Sequence, residues 1–138
     1  MPRDALSTDV EAWFAKARED MRLAEVALAL DPPPRGPAAF HCQQAAEKAL
    51  KGLLLRRGVV FPKTHDIGAV AQLLPARDAD LEPLMRRASR LTAYAWMFRY
   101  PGDLFEPPAD EIAEALATAT EVVDTLEPRA MAEAAEGE

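Results

Sequence analysis

The stretch from Phe40 to Arg57, FHCQQAAEKALKGLLLRR, constrains the fold more than any other. It reads as one helix of about five turns at 3.6 residues each. Cys42, Ala45, Ala46, Ala49, Leu50 and Leu53 share one broad apolar arc, which a globular chain must bury against other elements. A second arc carries His41, Gln44, Lys48 and Lys51, with Leu55 among them. Amides and amines thus line up along one side of a helix whose other side is core.

The flanking chain repeats the helical period. Thr8 or Asp9 is placed to cap a first helix that runs to about Leu30, with Trp13, Phe14, Ala17, Met21, Ala24 and Leu28 on one face. Leu23, Val26 and Leu30 form a second, smaller apolar stripe, suited to packing on the following loop or on another subunit. Asp31-Pro-Pro-Pro-Arg-Gly-Pro37 stops that helix, because proline lacks the amide hydrogen and clashes with the preceding turn. The central helix then starts at about Pro37 and ends at Gly58, a left-handed cap. Val59 to Lys63 has no strand partner and reads as an extended loop. Thr64 or Asp66 caps a short helix to about Leu74, stopped by Pro75. A helix from about Ala79 to Phe98 follows, with Arg86, Arg87 and Arg90 on its outer side, and a last one spans about Pro108 to Leu126. Past Pro128 the acidic tail, 128–138, frays or extends the helix weakly. The expected architecture is all-α, an up-and-down bundle of four to five helices forming a single domain over residues 1–127.

Charge narrows the function classes. The chain of 138 residues carries a net −7, but residues from Glu106 onward contribute −9 and residues 1–105 contribute +2. A general nucleic-acid coat is excluded, while a local anionic site in the first two thirds is not. No apolar run approaches the roughly 20 residues of a membrane span. MPRDALSTDVEAW lacks the apolar core of a signal peptide, and Cys42 is the single cysteine, so a cytoplasmic location is expected. Two distant histidines, one cysteine and no clustered carboxylates give no metal site, and no glycine-rich phosphate loop implies a cofactor.

FHCQQAAEKALKGLLLRRG at 40–58, PKTHDI at 62–67 and LTAYAWMFRYPGD at 91–103 together resemble the HEPN domain, in the order and spacing of prokaryotic stand-alone members. The resemblance covers most of residues 9–127. It implies a helical bundle, often a homodimer, commonly found beside a small nucleotidyltransferase-type partner. Some members are metal-independent endoribonuclease toxins, with an arginine followed after four to six residues by a histidine. Arg99 of Arg99-Tyr100-Pro101 matches that arginine, but the three positions open to the histidine hold Leu104, Phe105 and Glu106. The tyrosine that some members carry two places beyond it is also missing. Metal-free RNA cleavage needs a group that exchanges a proton near neutral pH, and arginine holds phosphate without serving as a base.

The expected function is therefore binding of a nucleotide or RNA together with the nucleotidyltransferase-type partner, without nuclease activity. Arg99, Lys48, Lys51, Gln44 and Tyr100 are the candidate phosphate and nucleotide contacts. Arg99 is equally suited to capping its own helix, and Glu47–Lys51 is a favourable i,i+4 pair without any ligand. Tyr94, Tyr100 and Trp96 suit base stacking or core packing. Two alternatives remain open: an endoribonuclease toxin that draws its base from His65 or His41, and a structural or dimerisation module without ligand.

Overall fold

In the computed structural model the chain is described over residues 4–97 and 106–136. It forms α1 (Ala5–Leu28), α2 (Arg35–Arg56), α3 (Ile67–Ala71), a 3-10 turn (Ala76–Leu81), α4 (Glu82–Ser89), a second 3-10 turn (Arg90–Ala95) and α5 (Ala109–Glu136). No strand occurs among the described residues, and the expected helical bundle is what the chain builds.

Helix α2 is the axis of the bundle. α1 and α5 pack along it, and α3 and the second 3-10 turn close its remaining side. Small side chains make this approach close: Ala38, Ala39, Ala45, Ala46 and Ala49 are fully buried, together with Cys42 and Leu53. Burial pushes the Cys42 thiol up to about 12, so it is a core residue and not a reactive one. Gly52 marks the tightest point. A Cβ there would lie 2.8 Å from Phe14 Cε2 and 3.1 Å from Trp13 Cβ. Gly52→Ala is expected to push α1 off α2 and cost about 1–3 kcal/mol, read as a lowered urea midpoint.

Several boundaries differ from the sequence reading, each for a local reason. α1 starts earlier because Asp4, not Thr8 or Asp9, is its cap and accepts from the Ser7 amide at 2.7 Å. α2 starts at Arg35, so Pro37 sits inside the first turn, where no intrahelical amide is needed. Gly58 does adopt the left-handed conformation, at φ 74°. Of the two cap candidates for α3, Asp66 takes the role, accepting from the Ala69 amide at 3.1 Å.

Up to Ala95 the expected helix from Ala79 to Phe98 is three pieces, and Phe98 lies outside the described residues. Just ahead of it Asp78 is non-helical (φ −107°, ψ 15°) with its carboxylate bonded to Arg57 and Arg129, and only 82–89 is a true α-helix. Its apolar register survives, with Leu81, Leu84, Met85, Ala88, Leu91 and Ala95 all buried. α5 passes through Pro128 to Glu136 instead of stopping near Leu126. Pro128 is exposed, and so is Asp124 one turn earlier, so water can take the carbonyl bond that proline forfeits. Arg129 and the buried Ala130 anchor the helix beyond it.

Candidate functional site

The polar arc of α2 resolves into two carboxylate-centred clusters and a rim. In the first, Asp20 of α1 projects toward α2 and is almost wholly buried. It accepts from His41 Nδ1 at 2.8 Å on one oxygen and from Lys48 Nζ at 2.6 Å on the other. In the second, Glu47 accepts from His65 Nδ1 at 2.8 Å and Gln43 Nε2 at 2.8 Å on Oε1, and from Lys51 Nζ at 3.0 Å on Oε2. A carboxylate accepts only, so Nδ1 of each ring carries the proton.

The second cluster fastens a loop. Lys51 Nζ also donates to the Thr64 carbonyl at 3.0 Å, and Gln43 Nε2 to the His65 carbonyl at 3.2 Å. Lys51 lies 5.7 Å over the Phe61 ring, which meets Trp13 edge to face. The Thr64 and His65 carbonyls of the 59–66 segment are thereby satisfied by the face of α2 they lie on. Burial raises the Glu47 carboxyl pKa, yet the bonds from Gln43, His65 and Lys51 outweigh it and leave the group below the usual carboxylate range.

The sequence-predicted residues therefore separate. Lys51 is 8% exposed and committed to Glu47 and the loop, so it does not line an open groove with Lys48. Lys48, at 25% exposure, reaches a recess between the outer sides of α1 and α2. Gln44 donates to Gln43 Oε1 at 2.6 Å and joins the edge of the buried network. His41 and His65 are brought to different carboxylates, not to each other. Arg99 and Tyr100 lie outside the described residues. Tyr94 is buried with its hydroxyl donating to Glu111, so it offers no face to a base, while Trp96 is half exposed. Arg86, Arg87 and Arg90 are paired with Glu82, Glu121 and Glu114, the latter two on α5, and so serve as ties rather than as a basic patch.

Sequence reasoning passed over Asp20, Gln43 and Asp78, and gave Glu106 no role of its own. Asp20 had a visible signal, standing between Ala17 and Ala24 on the buried face of α1 where a carboxylate needs a partner. Glu106 accepts from the Gly36 amide at 3.4 Å, supplying the first turn of α2 with an acceptor that Pro34 cannot offer. No group of three or more metal-ligating side chains occurs among the described residues, and no helix there is long and apolar enough to cross a membrane.

This geometry matches known proteins. The HEPN domain profile fits residues 10–129. The crystal structure of TT1696 from Thermus thermophilus superposes with a TM-score of 0.73 at 34% identity, covering 86% of this chain and 96% of that one. ST0689, described as an archaeal HEPN homologue, superposes with a TM-score of 0.64 at 26% identity, covering 94% of this chain and 99% of that one. No functionally curated protein matches. A profile spanning most of the chain, a relative at this identity and a shared bundle together place the chain in the HEPN domain family.

Proposed function

We propose that this HEPN bundle is the binding member of a two-protein system: it pairs with itself, engages a nucleotide or RNA, acts with a nucleotidyltransferase-type partner in the cytoplasm, and does not cleave RNA. The observation that carries the reading is Glu106. It occupies the last of the three positions where the Arg-x4–6-His pattern would place its histidine, and it is engaged with the Gly36 amide at the start of α2. Leucine and phenylalanine at 104 and 105 have no proton to exchange. Arg99, Tyr100, Lys48 and Gln44 are the proposed ligand contacts, Lys48 being the lysine of α2 that reaches solvent. Lys51 passes from ligand contact to loop anchor.

One observation favours the endoribonuclease toxin instead: both histidines are oriented through Nδ1 by carboxylates, an arrangement general bases use. The module without ligand is favoured by the carboxylate pairing of both Lys48 and Lys51.

The deciding experiment incubates the protein with structured RNA in chelator, beside Arg99→Ala, and measures RNA and nucleotide affinity against salt. Intact RNA in both, with a salt-sensitive affinity that falls about tenfold in Lys48→Ala, is the expected result. Cleavage by the wild type that disappears in Arg99→Ala would establish the enzyme, with His65→Ala and His41→Ala identifying the base. Neither binding nor cleavage would leave the structural module.

A further inference from the structure

Resting on Lys48 as the phosphate contact proposed above, we infer that His41 is a phosphoryl acceptor. Its Nε2 takes the group from an activated donor of the phosphoramidate or acyl phosphate class. Lys48 holds the phosphoryl oxygens and Asp20 holds the ring. The product is a covalent adduct, whereas the ligand reading is measured as reversible affinity, so the two fail separately.

His41 and Lys48 stand about two turns apart on one side of α2. Asp20 reaches between them from α1, its side chain 8% exposed and one oxygen on each. Tying the two helices together needs only the lysine and a second donor, which an amide would supply as well. An imidazole brings something more, a second nitrogen on its far side. With Nδ1 donating to Asp20, the lone pair is confined to Nε2. No hydrogen bond among the described residues engages Nε2, and it is not one of their buried unpartnered side-chain nitrogens, so it meets solvent. Lys48 spends one bond on Asp20 and keeps its other donors, at 25% exposure. Glu19, the acid that shares a recess with Lys48, pairs instead with Lys16 at 3.9 Å.

These groups suffice for the transfer. The Nε2 lone pair attacks phosphorus and forms the N–P bond. The bond from phosphorus to the donor's nitrogen or acyl oxygen breaks, and its electron pair leaves as ammonia or as a carboxylate. The ring becomes an imidazolium whose Nδ1 proton stays on the bond to Asp20, so the carboxylate offsets the charge that develops. Lys48 offsets the charge on the phosphoryl oxygens.

His65 is the control that the fold supplies. Its Nδ1 is held by Glu47 in the same way, and at 51% exposure its ring is the more accessible of the two. Its lysine is already spent. Lys51 is 8% exposed, bonds to Glu47 and to the Thr64 carbonyl, and lies over Phe61. Accessibility alone favours His65, and a cation free for the reacting group favours His41.

Phosphoramidate added to the full chain in neutral buffer with chelator tests the site, with acetyl phosphate run beside it to identify the preferred donor. The adduct is followed by intact mass, peptide mapping in alkali and phosphorus NMR. The expected product is one phosphohistidine, at Nε2 of His41, formed about tenfold faster than at His65 or on N-acetylhistidine. His41→Ala is expected to lose the fast phase and His65→Ala to keep it. Lys48→Met is expected to slow it about tenfold, with circular dichroism showing the fold intact. The ratio of the two histidines within wild type depends on no variant folding. With both donors, labelling of His65 at least as fast as His41, or a His41 rate no greater than that of N-acetylhistidine, would overturn the proposal. So would a fast phase unchanged in folded Lys48→Met.

Discussion

Asp78→Ala is expected to be the most damaging single substitution outside the apolar core, costing about 3–5 kcal/mol. Asp78 is fully buried and receives Arg57 Nε at 2.8 Å, Arg57 Nη2 at 3.0 Å and Arg129 Nη1 at 3.1 Å. The Arg57 side chain is only 4% exposed, so the change takes a buried carboxylate away from a guanidinium held away from water. It also releases a tie between the end of α2, the turn after Pro75 and the far end of α5. Arg129→Ala leaves Asp78 its two bonds from Arg57 and removes a side chain that is 28% exposed, so it is expected to cost less than Asp78→Ala. Urea unfolding of both variants by circular dichroism checks the order. Equal losses would mean that the Arg57 bonds to Asp78 add little to stability.

Lys51→Ala is expected to lower stability by about 3 kcal/mol while leaving nucleotide affinity per folded molecule unchanged. It leaves Glu47 charged and buried with only Gln43 and His65 as donors, and it frees the Thr64 carbonyl and the loop around it. A phosphate-binding lysine would show the opposite, unchanged stability and lost affinity. The carboxylate also sets the pH dependence. Glu47 is held below its ordinary value of 4.5 in the folded chain: burial opposes this, and the donors of Gln43, His65 and Lys51 overcome it. Asp78 is held below 3.8, chiefly by its bonds from Arg57. For a depressed carboxyl the contribution is complete above the unfolded value and is lost as pH falls through the folded one. Wild type should therefore lose stability below about pH 4.5, and the gap between it and Glu47→Gln should narrow over the same window. A gap that stays constant with acidification would show that Glu47 titrates alike folded and unfolded.

What the sequence made legible was whatever lies within one helix. The apolar arc of α2, the Gly58 cap and the Glu47–Lys51 pair are all set by neighbours three or four places apart. The polar residues of α2 looked like a site because their partners lie elsewhere in the chain. Lys48 finds its carboxylate 28 positions away, and Lys51 a loop carbonyl 13 positions on. Periodicity carries no record of such pairings. The break at Asp78 was hidden for the same reason, since its partners Arg57 and Arg129 lie 21 and 51 positions away. Two of the three stretches that carried the family resemblance, 40–58 and 62–67, hold the 59–66 loop against α2. Those residues report the fold, and the ligand contacts rest on fewer of them: Arg99, Tyr100, Lys48 and Gln44.

The burial of most of α2 has a consequence for how the molecule opens. No local fluctuation can bring water to the amides of its middle turns, from Ala45 to Leu54, while α1, α5 and the 59–66 loop remain in place. Deuterium should enter those turns only through global unfolding, at a rate that follows the stability of the whole chain. α3, five residues long and held by its Asp66 cap and a bond from the Ile67 amide to Thr92, should label through local opening long before that. The central helix would then report every destabilising substitution by the same factor, wherever in the bundle it is made.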